Sequence, residues 1–329
     1  MQLTPRLSPL IAALAVLIVA CGQAADTVGV STVTAGGQPP EATATPSVQA
    51  EASPSASIPT GDVLAVREVA RRPHDATAFT QGLEFDDSRL FESRGLRPDQ
   101  ESVTLTEIDP ADGSALRELA RDGDHFAEGL TVVDGRIIQL TWQSGVANVY
   151  DRDTFEPLEQ FTYEGEGWGI CDEPDRLIMS DGTSTLTFRD RDTFAVLGTV
   201  EVDLDGQPND DLNELECVDG LVWANLWNTN IILVIDPDTG SVVSEVDVSS
   251  LADSSGRLRD GGGGDVLNGI AHDPSSDTWL LTGKWWPWMF EVTFDCVEGC
   301  EADVTPSHYV RPRPPGVTSA VTPVRRLTR

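Results

Sequence analysis

Five polar residues that head similar short motifs are the positions at which this sequence could hold a ligand. Each head is followed by alternating apolar residues, and in four of the five copies the next residue is glycine. The heads, roughly 40 to 55 residues apart, are Gln81, Glu128, Glu166, Asn213 and Asn268. A self-similar period of this length is typical of propellers and solenoids, in which each repeat is one supersecondary unit. A ring of such repeats would bring the five heads together around one axis.

Rarer residue types follow the heads at matching distances. Trp142 and Trp227 each lie 14 residues after their own head, and Lys284 lies 16 residues after its head. The first strand of a propeller blade starts at the mouth where the second strand ends, so these side chains are expected to meet the heads there. The corresponding places in the other repeats, and the aromatic residues beside the heads, are held by Arg94, Asp181, Phe79, Phe126 and Trp168. Aromatic walls with acids, amides and one cation suit a small polar ligand that has an apolar stem.

Each of these residues also has a simpler interpretation. A polar head can satisfy backbone groups at the start of a strand, and a tryptophan more often packs in the core or between blades. The binding-site interpretation is favoured because the rare residue types fall at matching repeat positions on one predicted mouth.

The second repeat predicts four short antiparallel strands. Residues 129–133 alternate towards an apolar strand, Asp134-Gly135 is a hairpin turn signal, and further strands are expected over 136–142, 147–150 and 158–163. Four antiparallel strands form the blade of a β-propeller. The sequence therefore predicts an all-β fold, a five-bladed β-propeller with four antiparallel strands per blade. A spare apolar segment before the first repeat could complete the last blade.

The N-terminal part of the chain carries a targeting signal. An apolar run ends in Ile18-Val19-Ala20-Cys21, which resembles the lipobox of bacterial lipoproteins, with Cys21 as the lipidated residue. An ordinary secretory signal that contains a cysteine is the alternative. Both interpretations place the mature protein outside the cytoplasm, and the lipobox predicts a lipid anchor in the cell membrane.

Composition then divides the chain into four parts. A tether rich in Ala, Ser, Thr and Pro cannot bury enough apolar surface to fold, and the Pro- and Arg-rich tail has a similar composition. The predicted parts are a lipoprotein signal peptide (1–20), a flexible tether (21–60), a five-bladed propeller domain (61–304) and a disordered tail (305–329).

Charge, cysteines and histidines limit the partners and cofactors. The formal net charge of −32 argues against a nucleic-acid partner, because phosphate binding needs a basic surface. Cys296 and Cys300 could close a short disulfide in an exported protein. Cys171 and Cys217 follow the motif in neighbouring repeats, where a bridge and two buried free thiols are both compatible with the sequence. The four histidines are scattered without metal-site spacing, so no catalytic zinc site is predicted.

Several longer motifs resemble those of the glutamine cyclotransferase family, the plant and bacterial type of glutaminyl-peptide cyclotransferase. The matching stretches fall in order over about residues 73–292 and include Ala78-Phe79-Thr80-Gln81-Gly82-Leu83, Phe126-Ala127-Glu128-Gly129, Glu166-Gly167-Trp168-Gly169, Leu212-Asn213-Glu214-Leu215-Glu216 and Thr282-Gly283-Lys284-Trp285-Trp286-Pro287. The departures lie outside the predicted pocket: Phe91 replaces a usual Tyr, and a glycine run occupies 261–264. The family is known as five-bladed propellers, in agreement with the five repeats.

The resemblance implies a reaction at the N-terminal glutamine of peptides or proteins. The α-amine attacks the side-chain amide, ammonia leaves and pyroglutamate forms. Carried over by position, the resemblance makes Glu128 the general acid and base. Lys284 and Asn213 become further catalytic residues that stabilise charge on the amide oxygen, and an indole N–H is another candidate donor. The implied substrate-binding residues are Phe79, Gln81, Phe126, Trp142, Trp168 and Trp227.

Two further expectations concern cofactors and the pKa of the Glu128 carboxyl group. No metal or other cofactor is implied for the reaction, and a structural calcium ion in the channel is compatible with the sequence but not derivable from it. Glu128 lies beside Phe126 and is expected to face tryptophans, so desolvation should raise its pKa.

Two other functions stay open on the sequence alone. A non-catalytic extracytoplasmic propeller lipoprotein that binds a peptide, a sugar or a protein partner would have the same tether and acidic surface. A propeller lyase or hydrolase that relies on histidine and a metal is disfavoured by the scattered histidines. For the favoured function, the expected partners are peptides or proteins with N-terminal glutamine and, through lipidated Cys21, a membrane, and the protein is expected to be a monomer.

Overall fold

The fold is built from a recurring sheet of four antiparallel strands. The computed structural model describes residues 62–95, 103–120, 125–255 and 266–298, all within one unit that spans Ser57–Arg329. Within these ranges α1 (Ser249–Ser254) is the single helix and every other element is a strand. The all-β prediction is therefore confirmed.

Three of the sheets each consist of four strands that are consecutive in the chain. The first described strand, β1 (Asp62–Pro73), is not part of these three sheets and belongs to a larger, eight-stranded sheet. The first sheet contains β2 (Thr80–Asp86), β3 (Arg89–Arg94), β4 (Val103–Ile108) and β5 (Ala115–Ala120). The second contains β6 (Ala127–Val133), β7 (Arg136–Thr141), β8 (Val146–Asp151) and β9 (Pro157–Thr162). The third contains β10 (Ile170–Glu173), β11 (Arg176–Met179), β12 (Thr185–Arg189) and β13 (Val196–Glu201).

The remaining long strands form one eight-stranded sheet with two antiparallel groups of four. It follows a short hairpin of β14 (Asp203–Leu204) and β15 (Gln207–Pro208). One group is β16 (Leu212–Val218), β17 (Leu221–Leu226), β18 (Ile231–Ile235) and β19 (Val242–Asp247). The other joins β20 (Leu267–Asp273), β21 (Thr278–Gly283) and β22 (Trp288–Glu298) to β1. Because β1 pairs antiparallel with β22 and parallel with β19, the spare segment completes the last group, as predicted.

Burial separates inner from outer strands, as the second sheet illustrates. Strand β6 is buried at every residue and β7 at five of six, whereas β9 is exposed at five of its six residues. The turn between β6 and β7 has Asp134 at φ 50° and Gly135 at φ 76°, the paired positive values of a tight hairpin turn. The four strands predicted for this repeat are confirmed to within two residues at each end.

The glycine of the repeated motif lets neighbouring inner strands approach closely. The inner strands contact one another in the order β2, β6, β10, β16, β20 and back to β2. The Gly129 N–H donates to the Trp168 carbonyl oxygen over 2.7 Å, and a Cβ atom at Gly129 would lie only 2.7 Å from that oxygen. Any larger residue would therefore push the two sheets apart.

The fourth copy of the motif has Glu214 where the other copies have glycine. Its carboxyl oxygens accept hydrogen bonds from Leu83 N (3.2 Å) and Ile270 N (2.8 Å). Burial raises the pKa of Glu214 well above its usual value, although the two N–H donors oppose the shift. This side chain therefore links β16 to β2 and β20, in place of the direct backbone approach that Gly82 and Gly129 permit.

A disulfide joins Cys171 on β10 to Cys217 on β16, with 5.4 Å between the Cα atoms. Of the two alternatives that the sequence allowed for this pair, the structure has the bridge. It connects the inner strands of two neighbouring sheets.

We expect the double variant Cys171→Ser/Cys217→Ser to be markedly less stable than the wild type. The bridge spans a sequence separation of 46 residues, and closing a loop of that size restricts the unfolded chain by about 4 kcal/mol on the chain-entropy model. Equilibrium urea unfolding of both proteins under oxidising conditions measures the difference. Equal unfolding midpoints would contradict a stabilising role for the bridge.

Several sequence predictions concern residues outside the described ranges and stay predictions. They are the signal peptide (1–20), lipidation at Cys21, the tether (21–60), the tail (305–329) and the Cys296–Cys300 disulfide, whose second cysteine is not described. Among the residues that are described, no helix has both the length and the apolar character needed to span a membrane.

Candidate active site

A cavity of about 330 Å³ lies where the inner strands start. All nine residues to which the family resemblance assigns catalysis or substrate binding line it. Val266 also lines the cavity, and a lone valine in a loop carries no signal that sequence reasoning could have used. The lining residues are Phe79, Gln81, Phe126, Glu128, Trp142, Trp168, Asn213, Trp227, Val266 and Lys284.

The same backbone hydrogen bond shapes the cavity wall in four repeats. The residue after the second strand donates its N–H to the carbonyl oxygen of the residue two places before the head. Trp142 donates to Phe126 and Lys284 donates to Val266, each over 2.9 Å, and the first and fourth repeats have equivalent bonds. This bond holds the end of the second strand beside the head. It is the physical reason why sequence spacing could predict the grouping.

Glu128 and Lys284 are the two ionisable side chains that line the cavity. They are only 5% and 4% exposed. Burial raises the pKa of Glu128 well above its usual value, with Lys284 opposing the shift and Glu166 adding to it. Burial lowers the pKa of Lys284 to about 8, with Glu128 opposing. A carboxyl group with a raised pKa and an amine with a lowered pKa are suited to proton transfer and charge stabilisation near neutral pH.

Two amide side chains present polar atoms to the cavity. Gln81 Oε1 accepts a hydrogen bond from Asn268 Nδ2 (3.2 Å), which leaves the Gln81 Nε2 group to donate. Asn213 is 2% exposed, and its buried Oδ1 has no hydrogen-bond partner among the described residues. Because a buried acceptor without a partner is destabilising, a ligand N–H bound here would find a ready site.

Aromatic rings form the walls. Phe126 contacts Phe79 and Trp142 edge to face, with ring centroids 5.9 and 6.0 Å apart. On the other side, Trp168 contacts Trp227 at 5.6 Å. Trp142 and Trp227 are 40% and 39% exposed and therefore lie at the rim, where apolar stems of a ligand can contact them.

Two of the indole N–H groups are already engaged and do not face a ligand. Trp142 Nε1 and Trp168 Nε1 both donate to the Glu166 carboxylate, over 2.7 and 2.9 Å. An indole donor to the ligand, which the sequence left open, would therefore have to come from another tryptophan, such as Trp227. Glu166 itself was placed at the mouth by the repeat spacing, but its bonds to the indoles had no sequence signal.

Besides Glu166, three residues that the repeat spacing placed at the mouth do not line the cavity. Asn268 is buried and donates to the Thr80 carbonyl oxygen (3.0 Å) as well as to the neighbouring glutamine. The Arg94 guanidinium is bound to Glu92 (2.8 Å), and Asp181 accepts hydrogen bonds within its own turn. Each of these three side chains therefore makes hydrogen bonds to other groups of the protein and lies outside the cavity lining.

A buried network of hydrogen bonds connects strands and a turn that carry cavity-lining residues. His74 contacts Glu92 (2.9 Å) through Nε2 and the Trp286 carbonyl oxygen (2.7 Å) through Nδ1, and Thr80 donates to the same carboxylate (2.7 Å). Although burial opposes the shift, Arg94 and His74 lower the pKa of Glu92 to about 2. The network thereby ties β2 and β3 to the turn that follows the cavity lysine. Within the part of the chain that the structure describes, no three His, Cys, Asp or Glu side chains are grouped so that they could hold a metal ion.

The protein is all-β and is built from repeated four-stranded sheets. These sheets form a cavity around one buried carboxyl group and one buried amine, which is a site for a small polar group. The family model of glutamine cyclotransferase matches residues 41–294. The chain is 36% identical over 230 residues to a glutaminyl-peptide cyclotransferase of Arabidopsis thaliana, covering 69% of this chain and 70% of that protein. It also matches the crystal structure of Myxococcus xanthus glutaminyl cyclase with a TM-score of 0.67 and 36% identity, covering 72% of this chain and 100% of that one. The chain belongs to the glutamine cyclotransferase family.

Proposed function

We propose that this protein is a glutaminyl-peptide cyclotransferase, which converts the N-terminal glutamine of peptides or proteins into pyroglutamate and releases ammonia. The observation that carries the proposal is the buried Glu128 carboxyl group in a cavity that also holds the Lys284 amine. Family membership supports the same activity. The cavity volume of about 330 Å³ falls at the lower end of ligand pockets, which suits one residue rather than a long segment.

The reaction is an intramolecular acyl transfer, which places the enzyme among aminoacyltransferases. The α-nitrogen of glutamine forms a bond to the side-chain carbonyl carbon, and the bond from that carbon to the amide nitrogen breaks. A free N-terminal amine has a pKa near 7.7, so a base must take a proton before the nitrogen can attack. That first proton passes to the solvent. As the neutral nitrogen bonds to the carbonyl carbon, Glu128 takes a second proton from it and delivers this proton to the departing nitrogen, which leaves as ammonia.

The remaining polar groups act on the amide. Negative charge builds on the side-chain oxygen during attack, and the Lys284 ammonium with the Gln81 Nε2 group can stabilise it. The unpartnered Asn213 Oδ1 can accept a hydrogen bond from the substrate nitrogen. The aromatic walls hold the substrate stem bent, with the amine close to the carbonyl carbon. This division of roles is part of the proposal.

We further propose that the five four-stranded groups are the blades of a five-bladed β-propeller. The cyclic contacts of β2, β6, β10, β16 and β20 support this arrangement. So does the pairing of β1 with β22, in which the first strand completes the last group.

The proposal extends to cofactors, location and assembly. We propose a metal-independent reaction, because the acid, the amine and the amides of the cavity supply every proton and charge that the steps need. We also propose export and a lipid anchor at Cys21, with residues 21–60 as the tether. The N-terminal apolar run and the cysteine that follows it support this location. The protein is proposed to act as a monomer, since one chain supplies all the residues that line the cavity.

We expect the purified protein to release ammonia from a dipeptide that begins with glutamine, also in the presence of a strong chelator. Enzyme-coupled ammonia detection measures the rate, and mass spectrometry of the product identifies the pyroglutamyl peptide. A dipeptide that begins with asparagine serves as the control, because its shorter side chain would have to close a strained four-membered ring. Absence of ammonia from several glutamine peptides would leave the non-catalytic binding protein as the better interpretation.

A further inference from the structure

A single carboxylate at the rim holds two walls of the cavity. Glu166 precedes β10 in the chain, and its Oε2 atom accepts hydrogen bonds from Trp142 Nε1 (2.7 Å) and Trp168 Nε1 (2.9 Å). Its Oε1 atom accepts a third bond from Gln143 Nε2 (2.8 Å). One oxygen therefore joins an indole that directly follows β7 of the second sheet to an indole that precedes the third sheet.

The two indoles need such an anchor because of where they lie. Both line the cavity, yet Trp142 is 40% exposed at the rim, where packing alone leaves a side chain free to change rotamer. A hydrogen bond to an ionised acceptor is stronger than a neutral one. Bonding to the carboxylate thus selects one orientation of the ring and keeps its face turned towards the ligand.

The carboxylate is well suited to this task. Hydrogen bonds from Gln143, Trp168 and Trp142 lower the pKa of Glu166 although burial opposes the shift, so the group stays ionised at neutral pH. Three donors occupy its oxygens, and it does not line the cavity. It is therefore not placed to exchange protons with a substrate.

We propose that Glu166 is a positioning residue, which fixes the Trp142 and Trp168 rings as the walls that hold the substrate's glutamine side chain. The inference rests on the proposed cyclotransferase function. It assigns a role to a residue of the rim rather than to a group that reacts. Loss of the anchor should weaken substrate binding more than it slows the chemical step, since the walls contact the substrate in both ground and transition states.

Three variants separate anchoring from charge. Glu166→Ala removes the acceptor, and we expect KM to rise about tenfold with kcat within about threefold of the wild type. Glu166→Gln removes the charge but can place its amide oxygen where Oε2 lies, so both indole bonds can form and KM should stay within about threefold. Glu164→Ala is the matched control, because it removes an exposed acid from the same loop and should behave as the wild type.

A second measurement detects the anchor without turnover. In protein labelled with ¹⁵N-tryptophan, the indole N–H signals of two of the eight tryptophans should shift and exchange faster with solvent in Glu166→Ala but not in Glu164→Ala. Glu166→Gln should retain their slow exchange. These signals report the hydrogen bonds themselves, which a general loss of stability would not move selectively.

The outcomes are distinct. Suppose that the wild-type protein is active. Unchanged indole signals in Glu166→Ala, or an unchanged KM in that variant, would then overturn the positioning role and leave the proposed function intact. A KM that rises as much in Glu166→Gln as in Glu166→Ala, while the indole signals of Glu166→Gln keep their slow exchange, would assign the effect to charge alone and would also overturn the positioning role. A wild-type protein without ammonia release would remove the proposed function, and the inference with it.

Discussion

The Glu128→Gln variant is expected to lose ammonia release by about 10²- to 10⁴-fold in kcat, the range that positioned proton transfer contributes. Glutamine keeps the size and shape of the side chain in this nearly buried position, so the cavity should stay intact. It can neither take a proton from the attacking α-nitrogen nor deliver one to the leaving nitrogen. Steady-state kinetics with a glutamine-initiated dipeptide measure the loss.

Binding separates this result from a damaged cavity. A glutamine-initiated peptide should still quench or shift tryptophan fluorescence in Glu128→Gln, because the aromatic walls are unchanged. Glu164→Gln controls for the loss of one negative charge and should keep full activity. Turnover in Glu128→Gln within about threefold of the wild type would show that another group carries the proton.

The pH profile of the wild type should carry the same signature. Glu128 must be ionised to accept a proton, so activity should fall as pH is lowered through its pKa, which burial raises well above the usual value. Protonation of the substrate amine, with a pKa near 7.7, adds to this acid limb.

The Lys284→Met variant is expected to lose about 10²- to 10³-fold in kcat, which is the size of effect that removal of one oxyanion donor produces. Methionine fills a similar volume without a charge or a donor. The loss should appear in kcat more than in KM, because negative charge on the amide oxygen develops only as the transition state is reached. Lys284→Met with a raised KM and an unchanged kcat would reduce Lys284 to a binding role.

The pKa of Lys284 adds an alkaline limb to the wild-type profile. Burial lowers this pKa to about 8, so the ammonium is present below pH 8 and is lost as pH rises through that value. Activity that depends on the charge should therefore decline above about pH 8. A rate that stays constant from pH 8 to 10 would argue against a charged lysine in the rate-limiting step.

Composition offers a further control for Lys284. It is the single lysine of the chain, so an amine-reactive reagent can modify only this side chain and a free α-amine. Its lowered pKa makes it more nucleophilic near neutral pH than an ordinary lysine. We expect inactivation by the reagent to be slowed by a glutamine-initiated peptide, and Lys284→Met to lose one site of labelling.

Much of the site's membership was determined by the sequence alone. The heads Glu128 and Asn213 each have a tryptophan 14 residues later, and strand geometry makes such pairs neighbours at one mouth. That rule depends only on the length of two strands and a tight turn, which local propensity specifies. The strands of the second repeat were predictable for the same reason, since Asp134-Gly135 determines the hairpin between β6 and β7.

The tertiary structure decided which polar atoms face the ligand. Asn268 shares its repeat position with Asn213, yet its amide nitrogen donates to Thr80 and Gln81, and of the two only Asn213 lines the cavity. The sequence could not separate the two, because the competing partners come from strands nearly 190 residues away in the chain.

The same reasoning applies to the indole anchor and the disulfide. Glu166 binds Trp142 across 24 positions, and Cys171 meets Cys217 across 46. Repeat spacing predicts which end of a sheet a residue occupies, but not the rotamer it adopts there. Rotamers follow from the neighbours that adjacent sheets supply, and those neighbours exist only once the sheets have packed together.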